Sequence, residues 1–291
     1  MNGAQKPRVL VTGATGTVGR AVTAALLARG ADVRALVRDP VAAAKVLGRG
    51  PALAVGEFGD PASVVAATAG VDAVFLCAAN DPRQLEWEDT VIRAASATGV
   101  GRLVKLSAHG ARAGAPVAFW DTHARIEARL AGYGPGWVIL RPTFFTSNLL
   151  AAAGSVRAAG ALFAPAGDAR IALVDPRDVA AVAAETLLSG GHDGRTYVLT
   201  GPAALTYGEV AGQLAAALDR PVRYVEVSDA QAVAAMVDAG LPAWTAQQVA
   251  AVWGELRRGA AATPTDVVRV LLGREPRTVG DFCADHAALF R

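Results

Sequence analysis

The segment Val11-Thr12-Gly13-Ala14-Thr15-Gly16-Thr17-Val18-Gly19 spaces three glycines evenly between a β-branched run, Arg8–Thr12, and a helical pattern, Thr17–Arg29. In that context Gly13 permits a tight turn, Gly16 lets backbone N–H groups approach a pyrophosphate, and Gly19 allows close packing of helix on sheet. The helix N-terminus adds partial positive charge, so the loop reads as a dinucleotide site and not as an idle turn. The next apolar run ends Val37-Arg38-Asp39-Pro40. An acid at that place accepts hydrogen bonds from a ribose 2′-hydroxyl, whereas an arginine pairs with a 2′-phosphate. Arg38 stands at the branch point and favours NADP over NAD; a one-residue shift would put Asp39 there instead.

Other reactive side chains are sparse. His123 and Glu127 lie four residues apart on one helix face, a spacing at which the carboxylate could orient the imidazole. Near neutral pH such a histidine could also donate a proton. The remaining histidines, His109, His192 and His286, are scattered, so no metal site is expected. Ser107 lacks the Gly-x-Ser-x-Gly surroundings of a hydrolase nucleophile. Phe119, Trp120, Phe144 and Phe145 could wall a flat substrate or pack in a core, and Trp244 and Trp253 could be lid or core.

These residues need elements to hold them. Apolar runs at Arg8–Thr12, Asp32–Val37, Ala52–Val55, Ala73–Leu76, Leu103–Leu106 and Trp137–Leu140 alternate with helical patterns, including Pro40–Leu47, Pro61–Ala69, Arg83–Thr98 and Val117–Leu130. That alternation predicts a Rossmann-type α/β fold, a doubly wound parallel sheet buried on both faces. Residues 1–150 should form its core. Residues 151–291 should return strands to the same sheet and add a small helix-rich substrate lobe, with too little strand for a sheet of its own. The chain has 291 residues, 53% hydrophobic and with a net charge of +2. Such a balance excludes disorder and argues against nucleic-acid binding. Two cysteines, Cys77 and Cys283, cannot build a disulfide framework. No signal-peptide or membrane-spanning pattern is evident, so a cytoplasmic protein without membrane partners is expected.

The motif Thr12–Gly19 resembles that of the extended and atypical short-chain dehydrogenase/reductases. Later segments are similar to their NmrA-like, NAD(P)H-binding branch, which includes quinone reductases and triphenylmethane reductases. These are Leu106–Ala111, His123–Glu127, Ile139–Leu149, Val174–Ala180 and Gly273–Thr278. The resemblance implies that Glu57 and Phe58 lie near the adenine, and that Cys77, Ala78 and Ala79 line the ribose–pyrophosphate path. Pro142, Thr143, Phe144 and Phe145 would border the nicotinamide, with Phe119, Trp120, Phe145 and Asn148 towards the substrate. It also places Ser107 at the catalytic serine, and aligns the Tyr-x-x-x-Lys pair of ordinary members with Phe119 and His123. A phenyl ring cannot transfer a proton, so ketone–alcohol chemistry by the usual route is not expected. NADPH-dependent hydride transfer to a small aromatic, quinone-like or enone acceptor is, with His123 holding the ribose or donating a proton. The branch also implies two alternatives, a non-enzymatic NADP sensor and a tailoring enzyme of aromatic polyketide biosynthesis without net redox turnover. Monomer and homodimer both remain open.

Overall fold

The computed structural model describes residues 6–132 and 136–291. Six short strands alternate with five helices through the first half: β1 Arg8–Val11, α1 Thr17–Ala28, β2 Asp32–Val37, α2 Pro40–Leu47, β3 Ala52–Val55, α3 Pro61–Thr68, β4 Ala73–Leu76, α4 Gln84–Ala97, β5 Arg102–Leu106, α5 Ala118–Ala131 and β6 Gly136–Pro142. Local chemistry sets several of these boundaries. Asp39 and Asp60 cap α2 and α3 by accepting from the first-turn amides, and Pro40 and Pro61 follow at the first helical position.

The second half adds α6 Ala153–Ala159, β7 Ala161–Ala164, α7 Pro176–Leu188, β8 Arg195–Leu199, α8 Tyr207–Leu218 and β9 Arg223–Glu226. It ends in α9 Asp229–Asp238, α10 Ala243–Arg257, α11 Val267–Leu272, α12 Val279–Asp285 and α13 Ala287–Phe290. A seven-stranded sheet runs β3-β2-β1-β4-β5-β6-β8, and the pairs from β3 through β6 are parallel. Strand order reverses between β1 and β4, the switch point at which open α/β sheets bind ligands beyond their strand C-termini. One expectation fails here. The second half does make a sheet of its own, because β7 pairs in parallel with β9 from Ala161↔Arg223 to Ala164↔Glu226.

The chain packs as two compact units. The first comprises residues 1–113, 120–141 and 179–197, and the second residues 114–119, 142–178 and 198–291. In the first, Leu10, Leu76, Ile92, Leu103, Ile126 and Leu130 are fully buried, each contributing about 1.5–3 kcal/mol through burial. In the second, Leu149, Leu162, Leu214, Trp253, Phe282 and Phe290 form the core.

The second unit also explains two of the family-like segments by joining them. Asp178 is fully buried and accepts from Arg274 Nη2 at 2.7 Å, from the Arg277 amide at 2.6 Å and from Arg277 Nη1 at 2.5 Å. Asp178→Ala is expected to cost about 2–4 kcal/mol, because it strands the Arg277 amide and leaves two guanidinium groups facing an empty acceptor site. Urea unfolding checks this, and a loss below 1 kcal/mol (about fivefold in the folding equilibrium) would make the clamp dispensable.

Candidate functional site

The first unit carries Gly13–Gly19, Arg38, Glu57, Phe58, Cys77–Ala79, Ser107, Trp120 and His123, while the second carries Phe119, Pro142–Phe145 and Asn148. At the switch point the end of β1 is stitched to the end of β4. The Cys77 amide donates to Thr12 Oγ1 at 2.8 Å, and that hydroxyl lies 2.9 Å from the Cys77 carbonyl. Gly13 has φ +61, and a Cβ there would lie 2.8 Å from the Cys77 carbonyl oxygen. A Cβ on Gly19 would meet the Gly13 carbonyl oxygen at 2.1 Å, so α1 can start this close to the strand only with glycine.

Gly16 differs. A Cβ there would meet only the Gly13 carbonyl oxygen, at 3.3 Å, and Thr15, Gly16 and Thr17 are exposed. Gly16 caps α1 with no side-chain hydrogen bond, and no acid sits in the first turn. The opening amides of α1 thus remain available to an anion in a bare glycine cradle. Ala14 and Val18 are buried and brace the loop from beneath.

Arg38 is exposed at the end of β2 and makes no hydrogen bond or ion pair among the described residues. Asp39 is committed elsewhere, accepting from the Val41 amide at 2.9 Å and the Ala42 amide at 3.0 Å as the cap of α2. Of the two candidates for the ribose position, only the arginine makes no hydrogen bond or ion pair among the described residues. Glu57 is exposed, and Phe58 stacks on Trp87 with centroids 6.0 Å apart, Arg83 lying 4.7 Å over the Trp87 ring. Cys77 and Ala78 are half-buried and Ala79 is exposed, and burial pushes the Cys77 thiol up to about 12.

At the C-terminal end of β5 lies a cluster of buried charges. Lys105, with no exposed surface, sets its ammonium 2.7 Å from Glu88 Oε2 of α4, 2.5 Å from the Leu106 carbonyl oxygen and 3.2 Å from His123 Nδ1 of α5. Gln84 Nε2 donates to Glu88 Oε1 at 3.0 Å. Alongside, Ser107 Oγ donates to Glu127 Oε1 at 2.5 Å, and Arg141 grips both oxygens of Glu127, with Nε 3.0 Å from Oε1. Two readings of the sequence are corrected by this arrangement. Glu127 does not orient His123, since Ser107 and Arg141 take its oxygens. Nor is His123 an acid near neutrality: its burial, and then the positive charge of Lys105, hold the imidazole well below its ordinary range. Ser107 spends its one proton on Glu127 and has only lone pairs left to offer.

The aromatic residues divide. A Cβ on Gly110 would lie 2.2 Å from the Trp120 ring, so Trp120 is packed on that backbone as core and not displayed as a wall. In the second unit Phe144 packs inward, edge-to-face on Trp253 at 5.0 Å, and the two contribute to the core. Trp253 is core rather than lid. Phe119 meets Trp244 edge-on at 5.3 Å, Phe145 is half-buried, and Asn148 is exposed. Pro142 and Thr143 are buried, with Thr143 Oγ1 donating to the Ala172 carbonyl at 2.6 Å.

A family profile described as NAD(P)H-binding matches residues 13–189, from the first glycine of the loop through α7. The chain belongs to that NAD(P)H-binding family. The chain is 35% identical over 282 residues to an NAD(P)H azoreductase of Xenophilus azovorans, covering 97% of this chain and 99% of that protein. It is 41% identical over 284 residues to the (4-alkanoyl-5-oxo-2,5-dihydrofuran-3-yl)methyl phosphate reductase of Streptomyces griseus, with the same coverage. Among solved structures, an NADPH-dependent quinone oxidoreductase of Escherichia coli in complex with NADPH superposes with a TM-score of 0.86 at 28% identity, covering 97% of this chain and all of that one.

As a member of this NAD(P)H-binding family, the chain carries its glycine loop at the switch point of the sheet. Sequence reasoning had not found Glu88, Lys105 or Arg141. A signal for Lys105 was present, because it is one of three lysines in the chain and interrupts the apolar run Leu103–Leu106.

Proposed function

We propose that the protein is an NADPH-dependent reductase of flat, electron-poor conjugated acceptors such as quinones and enones. The observation that carries the reading is a phosphate cradle of Gly13, Gly16 and Gly19 in the same unit as a neutral, buried histidine, with Phe119 at the position a tyrosine acid would hold. When bound, the cofactor supplies a hydride. The amides at the start of α1 would hold its pyrophosphate, Arg38 its 2′-phosphate and His123 its nicotinamide ribose.

With Phe119 where a phenol would stand and His123 uncharged, neither of these positions supplies an acid to an alkoxide. A quinone or enone does not need that help, because the electron pair it gains is delocalised and the anion can take its proton from water. The acceptors in the relatives' names share this trait. An azo bond, a quinone and an acylated unsaturated lactone are all conjugated and electron-poor. Cys77 and Cys283 are free thiols, which suits a reducing cytoplasm.

Consumption of NADPH against a panel of quinones, enones and azo dyes tests the reading. Turnover of at least one class is expected, and tight NADPH binding without any turnover would favour a cofactor sensor instead. Arg38→Ala should weaken NADPH by roughly tenfold to a hundredfold, the worth of a charge-assisted phosphate contact, and leave NADH almost unchanged. Equal weakening of both cofactors by calorimetry would make Arg38 structural.

A further inference from the structure

We infer that Lys105 is a positioning residue for His123, locking the imidazole as the neutral tautomer that carries its proton on Nε2. An ammonium has three protons to donate and accepts none. Those of Lys105 face Glu88, the Leu106 carbonyl and His123 Nδ1. Nδ1 must therefore be the acceptor in its contact with Lys105, and the ring's proton resides on the opposite nitrogen. His123 then presents an N–H donor that does not depend on ionisation.

The surroundings keep that state in place. From β5, Lys105 repels a second proton on the ring; from α4, Glu88, whose carboxyl burial pushes up, sits in direct contact with Lys105 Nζ and accepts a hydrogen bond from Gln84. Just past the end of β4, Cys77 stays an uncharged thiol. On α5 itself, Glu127 is spent on Ser107 and Arg141. A buried ion pair of this kind is weak evidence for stability, because well-packed apolar residues often serve as well. What it provides here is a fixed hydrogen-bond polarity at His123, on which the reading of that residue as a ribose donor rests.

Removing the ammonium should invert the electrostatics. In Lys105→Met the positive charge that opposes protonation of the ring is gone, together with the donor that makes Nδ1 an acceptor. The ring's affinity for a proton then rises, and His123 begins to titrate. In Glu88→Gln/Lys105→Met both charges are gone, so the ring is neutral again but its tautomer is no longer dictated.

Nitrogen-15 NMR of the full-length, cofactor-free protein labelled at histidine tests this, with the His123 signals identified by their absence in His123→Asn. In the unmodified protein, Nδ1 should read as an unprotonated acceptor and Nε2 as a protonated donor throughout about pH 5–8. Lys105→Met should titrate within that window and lose roughly tenfold to a hundredfold in kcat at its acidic end. The double variant should restore the flat NMR response, and it keeps the comparison available if Lys105→Met does not fold. A His123 that titrates in the unmodified protein, or carries its proton on Nδ1, overturns the proposal. NADPH consumption on the same samples separates the two claims. Quinone turnover with the wrong tautomer would sink the role of Lys105 alone, and the correct tautomer without turnover would sink the proposed function alone.

Discussion

Gly16→Val should abolish NADPH binding, weakening it by at least about a hundredfold, or roughly 2.7 kcal/mol, while the protein stays folded. Gly16 has φ −75 and ψ 170, extended backbone that valine adopts readily, and its Cβ would press only on the Gly13 carbonyl. The added side chain instead occupies the space through which a pyrophosphate reaches the first-turn amides. Circular dichroism should match the unmodified protein, and the rise in melting temperature on adding NADPH should vanish. Gly19→Ala makes the contrast: its methyl group would lie 2.1 Å from backbone, so that variant should lose stability first. A normal NADPH-induced shift in Gly16→Val would place the phosphates elsewhere.

His123→Ala should lower turnover by roughly ten- to a thousandfold, the range between lost orientation and a lost hydrogen-bond donor at the reacting centre. Because burial and Lys105 keep the ring neutral, the pH–rate profile of the unmodified protein on a quinone should be flat through the usual imidazole range. His123→Gln, whose amide nitrogen can stand near the position of Nε2, should recover part of the loss, whereas alanine cannot. A rate that falls as pH rises through the imidazole range in the unmodified protein would instead make His123 a proton donor.

The first half of the fold was legible because its signals are local and agree. Asp39-Pro40 and Asp60-Pro61 mark helix starts, and the runs from Arg8 to Leu106 are short, apolar and bounded by glycines or prolines. β7 was not legible. Ala161–Ala164 is four residues of Ala, Leu, Phe and Ala, and its partner β9 lies far along the chain, so nothing in the segment declares the pairing.

The candidate site divides in the same way. The glycine loop and Arg38 could be read, since phosphate binding is written in neighbouring backbone positions. The His123–Glu127 pairing was misread because helical spacing says only which side chains are near each other. Ser107 and Arg141, delivered by β5 and β6, compete for Glu127 and prevail. Lys105 reaches His123 from a neighbouring strand, and a contact of that kind has no sequence period. Phe144 was undecidable for another reason: a lone aromatic carries no mark of which way its ring turns, and here it turns onto Trp253.

Initial rates of NADPH oxidation with a simple quinone and with an unactivated aliphatic ketone, measured side by side, test the central claim most directly. A quinone returns a delocalised anion that water can protonate, and an aliphatic ketone requires a proton as the hydride arrives. Phe119 cannot give one, and neutral His123 holds its proton as a hydrogen-bond donor. Turnover of the quinone with the ketone at background is the expected result. Efficient reduction of the ketone would contradict the account, because it would demand proton transfer to the reacting centre, a role the account gives to neither Phe119 nor His123.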